Sequence, residues 1–439
     1  MNYMDMMRVQ DRDRLALIED GQEYTYGQLV TLSEQMSRNN TVFSSKPVSD
    51  RIHWIRKNKI KEQLIEFMAA NERGEIPVVV PTERKGRQQN VGSAIEMEYV
   101  LPDQKLKDMN VCMGVMTSGS TGKPKVLWRN YESWADYFQT QNQIFGIHGD
   151  SRLLAQGSLA FTGNLNMYLA VFFAGAAIVA QNEFQPKEWE KLIDKYQVDA
   201  IYLIPSKLMC IPRVLQGSYP AVKTIVSGSQ GMNRTDAARL KRFFPDANIT
   251  LYYGASELSY ISYLSSEEMT DDRGLVGRPF PGVQVEVRNQ QIYVTTPCCV
   301  AGVECPYTVS DQGYLDEAGR LYFTGRSDDI VLVHGHKVSL WRMEKVLTDQ
   351  PEIQAAVVLN LPDQKSNHYI RIAFVVLQER IQINSAFLER LRCKLSIYEM
   401  PGRFVVLSEM PYRENGKVDV ERLQKIWQDK ISFTPNNVT

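Results

Sequence analysis

A run of small, hydroxylated and basic residues between Thr117 and Lys125 has the composition of a loop that binds phosphate. It reads Thr-Ser-Gly-Ser-Thr-Gly-Lys-Pro-Lys and follows directly on the apolar residues 111–116. Glycines allow several backbone N–H groups to point at one anion, and hydroxyl and ammonium groups add further hydrogen bonds. We therefore predict that this run grips a polyphosphate. The residues assigned to that task are Thr117, Ser118, Gly119, Ser120, Thr121, Gly122 and Lys125.

Two other interpretations of this run stay open on its residues alone. A Walker A loop requires Gly at the place of Thr117 and Ser or Thr at the place of Pro124, so the run departs from that motif at both positions. A Gly/Ser surface turn is the second alternative, because short motif matches also arise by chance.

Four later segments carry side chains suited to a nucleotide, although each alone would be typical of an ordinary turn. An aromatic ring can stack on a base, a carboxylate can bind Mg²⁺ or a vicinal diol, and a Gly-Lys turn offers a cation. In chain order they lie at residues 252–257, 307–314, 325–337 and 411–419.

In this order the five segments resemble the motifs of the adenylate-forming superfamily, which comprises acyl-CoA synthetases, peptide-synthetase adenylation domains and luciferases. Short bacterial acyl-CoA ligases are the most similar members. The resemblance covers nearly the whole chain and implies that run 117–125 holds the β- and γ-phosphates of ATP. It places Tyr253 and Gly254 in the ATP site, with the tyrosine ring on adenine, Ser256 at the α-phosphate and Glu257 on Mg²⁺.

For the remainder of the chain, the resemblance implies that Asp311 binds the ribose hydroxyls and that Arg326 contacts ribose or phosphate. The sequence differs mildly there, because Val309-Ser310 stands where the family has Thr-Gly. Lys417 matches the lysine that bridges the acid's carboxylate and the α-phosphate. The implied catalytic residues are therefore Lys417, Glu257 and Ser256.

The resemblance also implies a C-terminal domain that rotates between two half-reactions, first forming the adenylate and then admitting a thiol. The residues implied at the hinge and the thiol channel are Asp328, Gly335 and Lys337. His334 and His336 flank the glycine, but a third metal ligand is missing from the pattern, which favours loop histidines over a metal pair. Of the acids that the family carries in the next helix only Glu344 is present, and we expect this to affect helix packing.

The elements that must position these motifs alternate between apolar runs and helical patterns up to about residue 260. Such alternation favours α/β layers with mostly parallel sheets. Strands are predicted at residues 77–81, 111–116, 153–156, 176–180, 200–203, 224–226 and 250–253, and helices at 61–73, 186–196 and 234–244.

After residue 273 the pattern alternates strictly, which indicates a small antiparallel β subdomain. A small α+β unit follows, with strands at residues 330–333, 355–359, 370–377 and 404–407 and helices at 340–349 and 384–395. The predicted domains are residues 1–326, with a trimmed N-terminal subdomain, and a mobile domain of residues 327–439, with the hinge near Asp328.

Composition excludes several classes of function. The 439 residues carry a formal net charge of -1 and no basic stripe, which argues against a nucleic-acid partner. The longest apolar run, residues 167–180, is too short to cross a bilayer, and the N-terminus lacks the pattern of a signal peptide, so a cytoplasmic protein is expected. The 6 cysteines form no CxxC pair, which favours reduced, mostly buried thiols over structural zinc.

The acid should bind at the ends of the parallel strands, between residues 156–167 and 227–254. Amino-acid-activating relatives carry an Asp after a Phe in the first stretch, whereas Phe161 is followed by Thr-Gly-Asn, so a fatty or aryl acid is expected. Phe161 would line the acid or would be a core aromatic. The predicted pocket residues are Phe161, Asn164, Ser227, Gly228 and Ser229.

Three functions are compatible with the sequence. The first is an ATP- and Mg²⁺-dependent acid–thiol ligase that makes an acyl-CoA, acting as a monomer or homodimer. In the second, the activated acid is loaded onto the phosphopantetheine arm of an acyl or peptidyl carrier protein, which the shortened region before Thr117 favours. The third is a regulatory protein that binds adenylate without catalysis, against which Glu257, Asp311, Arg326 and Lys417 argue.

Overall fold

The computed structural model describes residues 2–38, 47–81, 109–118, 124–363, 369–378, 383–413 and 416–432. The chain divides into two compact units. Unit 1 comprises residues 1–286, 293–309 and 317–321, and unit 2 comprises residues 287–292, 310–316 and 322–439. The predicted domain limits at residues 326 and 327 stay a prediction.

Unit 1 contains two sheets and the helices that cover them. Its strands are β1 (Leu15–Glu19), β2 (Gln22–Thr25), β3 (Ile52–Ile55), β4 (Ile76–Val79), β5 (Val111–Ser118), β6 (Pro124–Asn130), β7 (Arg152–Gln156), β8 (Ala177–Gln181), β9 (Ala200–Tyr202), β10 (Thr224–Gly228), β11 (Asn248–Ala255), β12 (Ser259–Ser265) and β13 (Leu275–Pro279). Its helices are α1 (Tyr3–Arg8), α2 (Tyr26–Arg38), α3 (Val48–Arg51), α4 (Ile60–Glu72), α5 (Glu132–Ala135), α6 (Phe138–Phe145), α7 (Thr162–Phe173), α8 (Trp189–Tyr196), α9 (Pro205–Leu208) and α10 (Arg234–Lys241).

The larger sheet of unit 1 has the strand order β13-β12-β11-β10-β9-β7-β8-β1-β2. Its central strands, from β11 to β1, are all parallel, while β2, β12 and β13 join antiparallel. The predicted α/β architecture with mostly parallel sheets is therefore confirmed. Because the central strands are parallel, their carboxyl ends share one edge, where loops can gather side chains around a ligand.

The smaller sheet has the order β3-β4-β5-β6, and its last two strands form an antiparallel hairpin. Valines, isoleucine, methionine and tryptophan from these strands make its core. The hairpin connection, residues 119–123, is the centre of the predicted phosphate loop and lies outside the described residues. The apolar run 167–180 is divided between the end of α7 and strand β8, with Gly175 between them.

The next four strands are hydrogen-bonded neighbours in chain order, as the alternating pattern predicts. They are β14 (Gln284–Arg288), β15 (Gln291–Thr295), β16 (Asp311–Leu315) and β17 (Leu321–Arg326).

The rest of unit 2 contains strands β18 (Ile330–Val333), β19 (His336–Ser339), β20 (Ile353–Pro362), β21 (Tyr369–Leu377) and β22 (Arg403–Leu407), and helices α11 (Leu340–Thr348), α12 (Ser385–Lys394) and α13 (Val420–Ser432). Strands β18 and β19 form a hairpin, and β20, β21 and β22 form a three-stranded sheet. Side chains of β21 alternate between the two faces of that sheet, as the period of a strand requires. Ala373 and Val375 belong to the core under α11 and α12, whereas Ile372 and Phe374 belong to the core under α13.

None of the helices in the described part of the chain combines the length and the hydropathy that crossing a bilayer requires.

Candidate active site

The β5–β6 hairpin brings the two ends of the predicted phosphate loop together. Thr117 pairs with Lys125, and Ser118 pairs with Pro124 one step further out. Thr117 and Lys125 are both half-buried at the base of the connection. The assignments of Gly119, Ser120, Thr121 and Gly122 lie outside the described residues and stay predictions.

Thr162, the first residue of α7, links this hairpin to the segment that carries the predicted α-phosphate ligand. Its hydroxyl lies 3.5 Å from the carbonyl oxygen of Met116, the residue before Thr117. The Ser256 hydroxyl lies 3.4 Å from the Thr162 hydroxyl on the other side. The start of the phosphate loop, the beginning of a helix and Ser256 therefore converge within hydrogen-bond range, an arrangement suited to holding an anion.

The backbone around Ser256 and Glu257 is held by a buried arginine. Arg129 on β6 is 0% exposed and donates hydrogen bonds to the carbonyl oxygens of Ser256, at 2.8 Å, and Cys298, at 2.9 Å. Its guanidinium also lies 4.7 Å from the centre of the Trp134 ring. Burial lowers the pKa of Arg129 to about 10, so the group stays charged at neutral pH. We name Arg129 and the two carbonyls it binds the arginine clamp.

Replacing Arg129 by methionine should lower the free energy of unfolding by about 2–4 kcal/mol, because one buried and one half-buried carbonyl lose their charged donor. Urea denaturation of both proteins measures the difference. Arg239→Met, at an exposed position of α10, is the matched control and should change stability by about 0.5 kcal/mol or less. Equal free energies of unfolding for the Arg129 variant and the wild type would show that the arginine clamp does not stabilise the fold.

Glu257 has the environment expected of a ligand for Mg²⁺. Glu257 is half-buried, and its backbone carbonyl accepts a hydrogen bond from the Val300 N–H at 2.9 Å. This bond fixes the backbone and does not involve the side-chain carboxylate. Mg²⁺ commonly takes one or two carboxylates and completes its shell with substrate phosphates and water. A single carboxylate beside the predicted phosphate-binding residues fits that donor set. Among the described residues, no group of three His, Cys, Asp or Glu side chains could hold a metal by itself.

The strand that leads into this segment is irregular at the predicted adenine site. The register between β11 and β12 shifts between Tyr253 and Gly254. Tyr253 is half-buried and Gly254 is exposed. A bulge of this kind redirects side chains at the end of a strand, which is how a ring is presented to a ligand.

Two of the predicted pocket residues hydrogen-bond the backbone through their side chains, and the others differ in exposure. The Asn164 amide donates to the carbonyls of Gln156 and Ser158, both at 3.1 Å, and the Ser227 hydroxyl donates to Leu203 at 2.7 Å. These polar groups brace the backbone around the pocket. Gly228 is buried, Ser229 is exposed, and Phe161 is half-buried directly before α7.

In unit 2, Asp311 and Arg326 lie together. Asp311 begins β16 and is buried, and its Oδ1 atom lies 3.1 Å from Nε of Arg326 at the end of β17. The backbone supports this pair, because the Ser327 N–H donates to the Ser310 carbonyl at 2.9 Å. A carboxylate can accept hydrogen bonds from two vicinal hydroxyls, so the pair suits the predicted ribose site.

The proposed thiol-channel residues lie on the β18–β19 hairpin of unit 2. Val333 pairs with His336, so His334 and Gly335 form a two-residue turn, with φ of 50° and 83°. A side chain at Gly335 would meet no neighbouring atom but would strain this turn. His336 is the first residue of β19, and its ring stacks on Tyr398 with ring centres 3.8 Å apart. Lys337 follows on β19 and is exposed.

Asp328 and Lys417, the proposed hinge and catalytic residues, are exposed residues of unit 2. Asp328 lies in a short turn between β17 and β18. Lys417 lies in a second turn, where its carbonyl accepts from the Arg413 N–H and the adjacent Gly416 N–H donates to Arg413, each at 2.8 Å. Glu414 and Asn415, between them, lie outside the described residues. Exposure of Lys417 in a backbone-bonded turn suits a group that engages a substrate.

Glu344 on α11 has an unusual protonation equilibrium. Its Oε1 atom accepts the Val358 N–H at 2.7 Å, which ties the helix to β20. Burial raises the pKa of Glu344 from 4.5 to about 8; the hydrogen bond from Val358 opposes this effect, and the charge of Asp329 adds to it.

Glu344→Gln should remove a pH dependence from the stability of unit 2. Because the pKa of Glu344 is higher in the folded than in the unfolded protein, the protonated carboxyl stabilises the fold. This contribution to the free energy of unfolding is complete below the unfolded pKa and is lost as the pH rises through about 8. Glutamine keeps an acceptor for Val358 and cannot ionise. Its advantage over wild type should be small near pH 5 and about 2–4 kcal/mol near pH 9, measured by native-state hydrogen exchange of β20 and β21. Glu389→Gln, exposed on α12, is the control, and an advantage independent of pH would contradict the assignment.

The cysteines are less buried than expected. All are free thiols, of which Cys298 is buried, Cys393 is exposed and the others are half-buried. The sulfurs of Cys299 and Cys305 lie 3.4 and 3.8 Å from the same carbonyl oxygen, that of Thr296.

Two features near the predicted site residues were not predicted from the sequence. Arg129 stands in an apolar strand, and a charged residue in such a run is the signal that could have marked it. The second is a hydroxyl contact between Tyr202 on β9 and Tyr252 on β11, at 2.8 Å, for which the sequence separation gives no signal.

The sequence is similar to a known protein family and to bacterial CoA ligases. A family model described as "AMP-binding enzyme" matches residues 49–303. The chain is 27% identical over 334 residues to the uncharacterized acyl-CoA ligase YhfT of Bacillus subtilis, covering 72% of this chain and 69% of that protein. It is 23% identical to VraA of Staphylococcus epidermidis, provisionally named a long chain fatty acid–CoA ligase, over 95% of this chain and 96% of that protein.

Solved structures share the fold. The o-succinylbenzoate–CoA synthetase MenE of Bacillus subtilis, in complex with ATP and magnesium, superposes with a TM-score of 0.77 at 18% identity, covering 96% of this chain and 99% of that chain. At this identity the likeness shows the fold alone. Since the family model spans more than half of the sequence, the chain belongs to the AMP-binding enzyme family, and its predicted place among the adenylate-forming acid–thiol ligases is confirmed at that level.

Proposed function

We propose that the protein uses ATP to convert a fatty or aryl carboxylic acid into an acyl-adenylate with release of pyrophosphate, and then transfers the acyl group to the thiol of CoA. The observation that carries this proposal is the convergence of Thr162, Ser256 and the start of the phosphate loop. The arginine clamp supports it through a hydrogen bond to the Ser256 carbonyl. The names of the relatives, which are CoA ligases, support CoA as the acceptor.

In the first half-reaction an oxygen of the carboxylate attacks the α-phosphorus, and pyrophosphate leaves. Both reactants are anions, so the site must hold them in line and compensate charge. Thr117, Lys125 and Ser256 would bind the phosphates, and Lys417 would lie between the carboxylate and the α-phosphate. Mg²⁺ on Glu257 would neutralise charge on the phosphates when bound.

In the second half-reaction the thiol sulfur attacks the acyl carbon, and AMP leaves. Hydrolysis would compete with this step, so water must be excluded from the adenylate. The β18–β19 hairpin, with Gly335 at its turn, is the proposed face for the thiol arm. Asp328 is the proposed hinge that exchanges this face with Lys417, by a rotation of the C-terminal domain.

ATP–pyrophosphate exchange across a panel of acids tests the proposal. The panel should contain benzoate, 2-succinylbenzoate and fatty acids of increasing length. We expect acid-dependent exchange with at least one of them, and thioester formation with CoA in a second assay. Exchange followed by transfer to a phosphopantetheine-bearing carrier protein alone would favour the carrier-protein alternative. Absence of exchange with every acid would favour a non-catalytic binding protein. A cytoplasmic location and a monomeric or dimeric state stay predictions.

A further inference from the structure

A pair of buried tyrosines packs beside Gly228, one of the predicted pocket residues. Tyr202 on β9 and Tyr252 on β11 are 6% and 9% exposed, and their hydroxyl oxygens lie 2.8 Å apart. The two rings are nearly parallel, with an angle of 17° and centres 6.5 Å apart. We name these residues the tyrosine pair. Tyr252 is the register partner of Gly228 on the neighbouring strand β10.

Two glycines border the tyrosine pair and leave almost no room beside it. A Cβ atom added to Gly163, the second residue of α7, would lie 2.6 Å from the Tyr202 hydroxyl and 3.2 Å from the Tyr252 hydroxyl. A Cβ atom added to Gly228 on β10 would collide with the Tyr252 ring. Interiors are packed to crystal-like density, so an acyl chain cannot pass where a single methyl group does not fit. The tyrosine pair therefore closes the gap between the helix and the sheet.

Neighbouring aromatic rings hold Tyr252 in this position. Tyr260 meets it edge to face, with ring centres 4.8 Å apart, and Phe145 packs at 6.0 Å. Tyr260 is itself fixed by a 2.8 Å hydrogen bond between its hydroxyl and Asn166 of α7. Rotation of Tyr252 would displace this cluster, so the ring is a wall and not a gate.

The wall lies close to the reacting end of the site. Thr162, which contacts Ser256, is the residue directly before Gly163, which contacts the tyrosine pair. Consecutive Cα atoms are about 3.8 Å apart. The tyrosine pair therefore packs one residue along α7 from the contact with Ser256, which limits the length of an acid that could lie between them.

We propose that the Tyr202–Tyr252 pair is the end wall of the acid pocket, so that the protein activates compact acids, aryl or short-chain, and excludes long-chain fatty acids. This inference rests on the proposed function and narrows its substrate class. It separates this chain from the long chain fatty acid assignment that the name of VraA carries.

Wild-type protein gives the first test. The value of kcat/KM for ATP–pyrophosphate exchange with the better of benzoate and butanoate should exceed that with decanoate by about 100-fold or more. Binding of benzoyl- and decanoyl-sulfamoyl adenosine, measured by calorimetry, gives the same comparison without turnover. Equal or better use of decanoate, or equal binding of its analogue, would overturn the inference while leaving the proposed function intact. Loss of exchange with every acid, with neither analogue bound, would instead contradict the proposed function.

Substitution of the wall gives the second test. Tyr252→Ala should raise the ratio of decanoate to benzoate exchange by about 10-fold or more, because it removes the ring that fills the gap. Tyr252→Phe keeps the ring, loses only the hydroxyl and should leave decanoate excluded. Tyr202→Ala, which opens the other half of the wall, is measured alongside in case the first alanine variant does not fold. An unchanged acid ratio in both folded alanine variants would contradict the assignment.

Discussion

Lys417→Ala should reduce acid-dependent ATP–pyrophosphate exchange by about 100- to 1,000-fold, the largest loss expected of any single substitution in the chain. The lysine would stand between two anions at the moment when charge on the phosphorus increases, and no neutral side chain can replace it there. Transfer of the acyl group from chemically synthesised acyl-adenylate to CoA should persist, because that step requires no attack on phosphorus.

The matched control is Lys425→Ala, which removes another exposed lysine from the same unit, on helix α13. It should leave both half-reactions close to wild type. Exchange retained by the Lys417 variant would remove the lysine from its proposed role, and equal loss of both half-reactions would indicate damage to the fold instead.

Glu257→Gln should lower exchange by about 100-fold and raise the Mg²⁺ concentration needed for half-maximal rate, since a neutral amide binds a hard cation less strongly than a carboxylate does. The Val300 N–H binds the Glu257 backbone carbonyl, which the substitution leaves in place, so the segment should keep its position. A titration of exchange rate against Mg²⁺ measures both effects.

Glu267→Gln, at an exposed position of unit 1, is the control for loss of one negative charge. It should leave the Mg²⁺ dependence unchanged. If Glu257→Gln lowered the rate without a shift in the Mg²⁺ titration, the carboxylate would act on something other than the metal.

Much of the fold was predictable because its signals are local. Apolar runs with a period of two, or of three to four, residues predicted β7, β10, α10, β18, β20, β21 and β22 within a few residues of their observed bounds, whereas β19 was not predicted. Asp20-Gly21, a pair that favours tight hairpin turns, connects β1 to β2 with positive φ at both residues. The order of motifs then supplied the family, because it is a property of the whole chain.

The sequence could not provide pairings between distant strands. Strand β6 was hidden within the phosphate motif, since Lys125 and Arg129 interrupt its apolar pattern, yet its pairing with β5 sets the base of the loop. The bonds from Arg129 to Ser256 and Cys298 join residues far apart in the chain. The contact between the two tyrosines has the same origin. It depends on β10 pairing with β9 on one side and with β11 on the other, which the sequence does not predict.

The most direct test of acyl-adenylate formation follows an oxygen atom. The best acid of the panel is labelled with ¹⁸O in its carboxylate and incubated with ATP, Mg²⁺, CoA and the full-length protein, and the products are weighed by mass spectrometry. If the carboxylate attacks the α-phosphorus and the thiol later attacks the acyl carbon, one labelled oxygen must appear in AMP. Label in inorganic phosphate together with ADP, or AMP without label, would contradict the account.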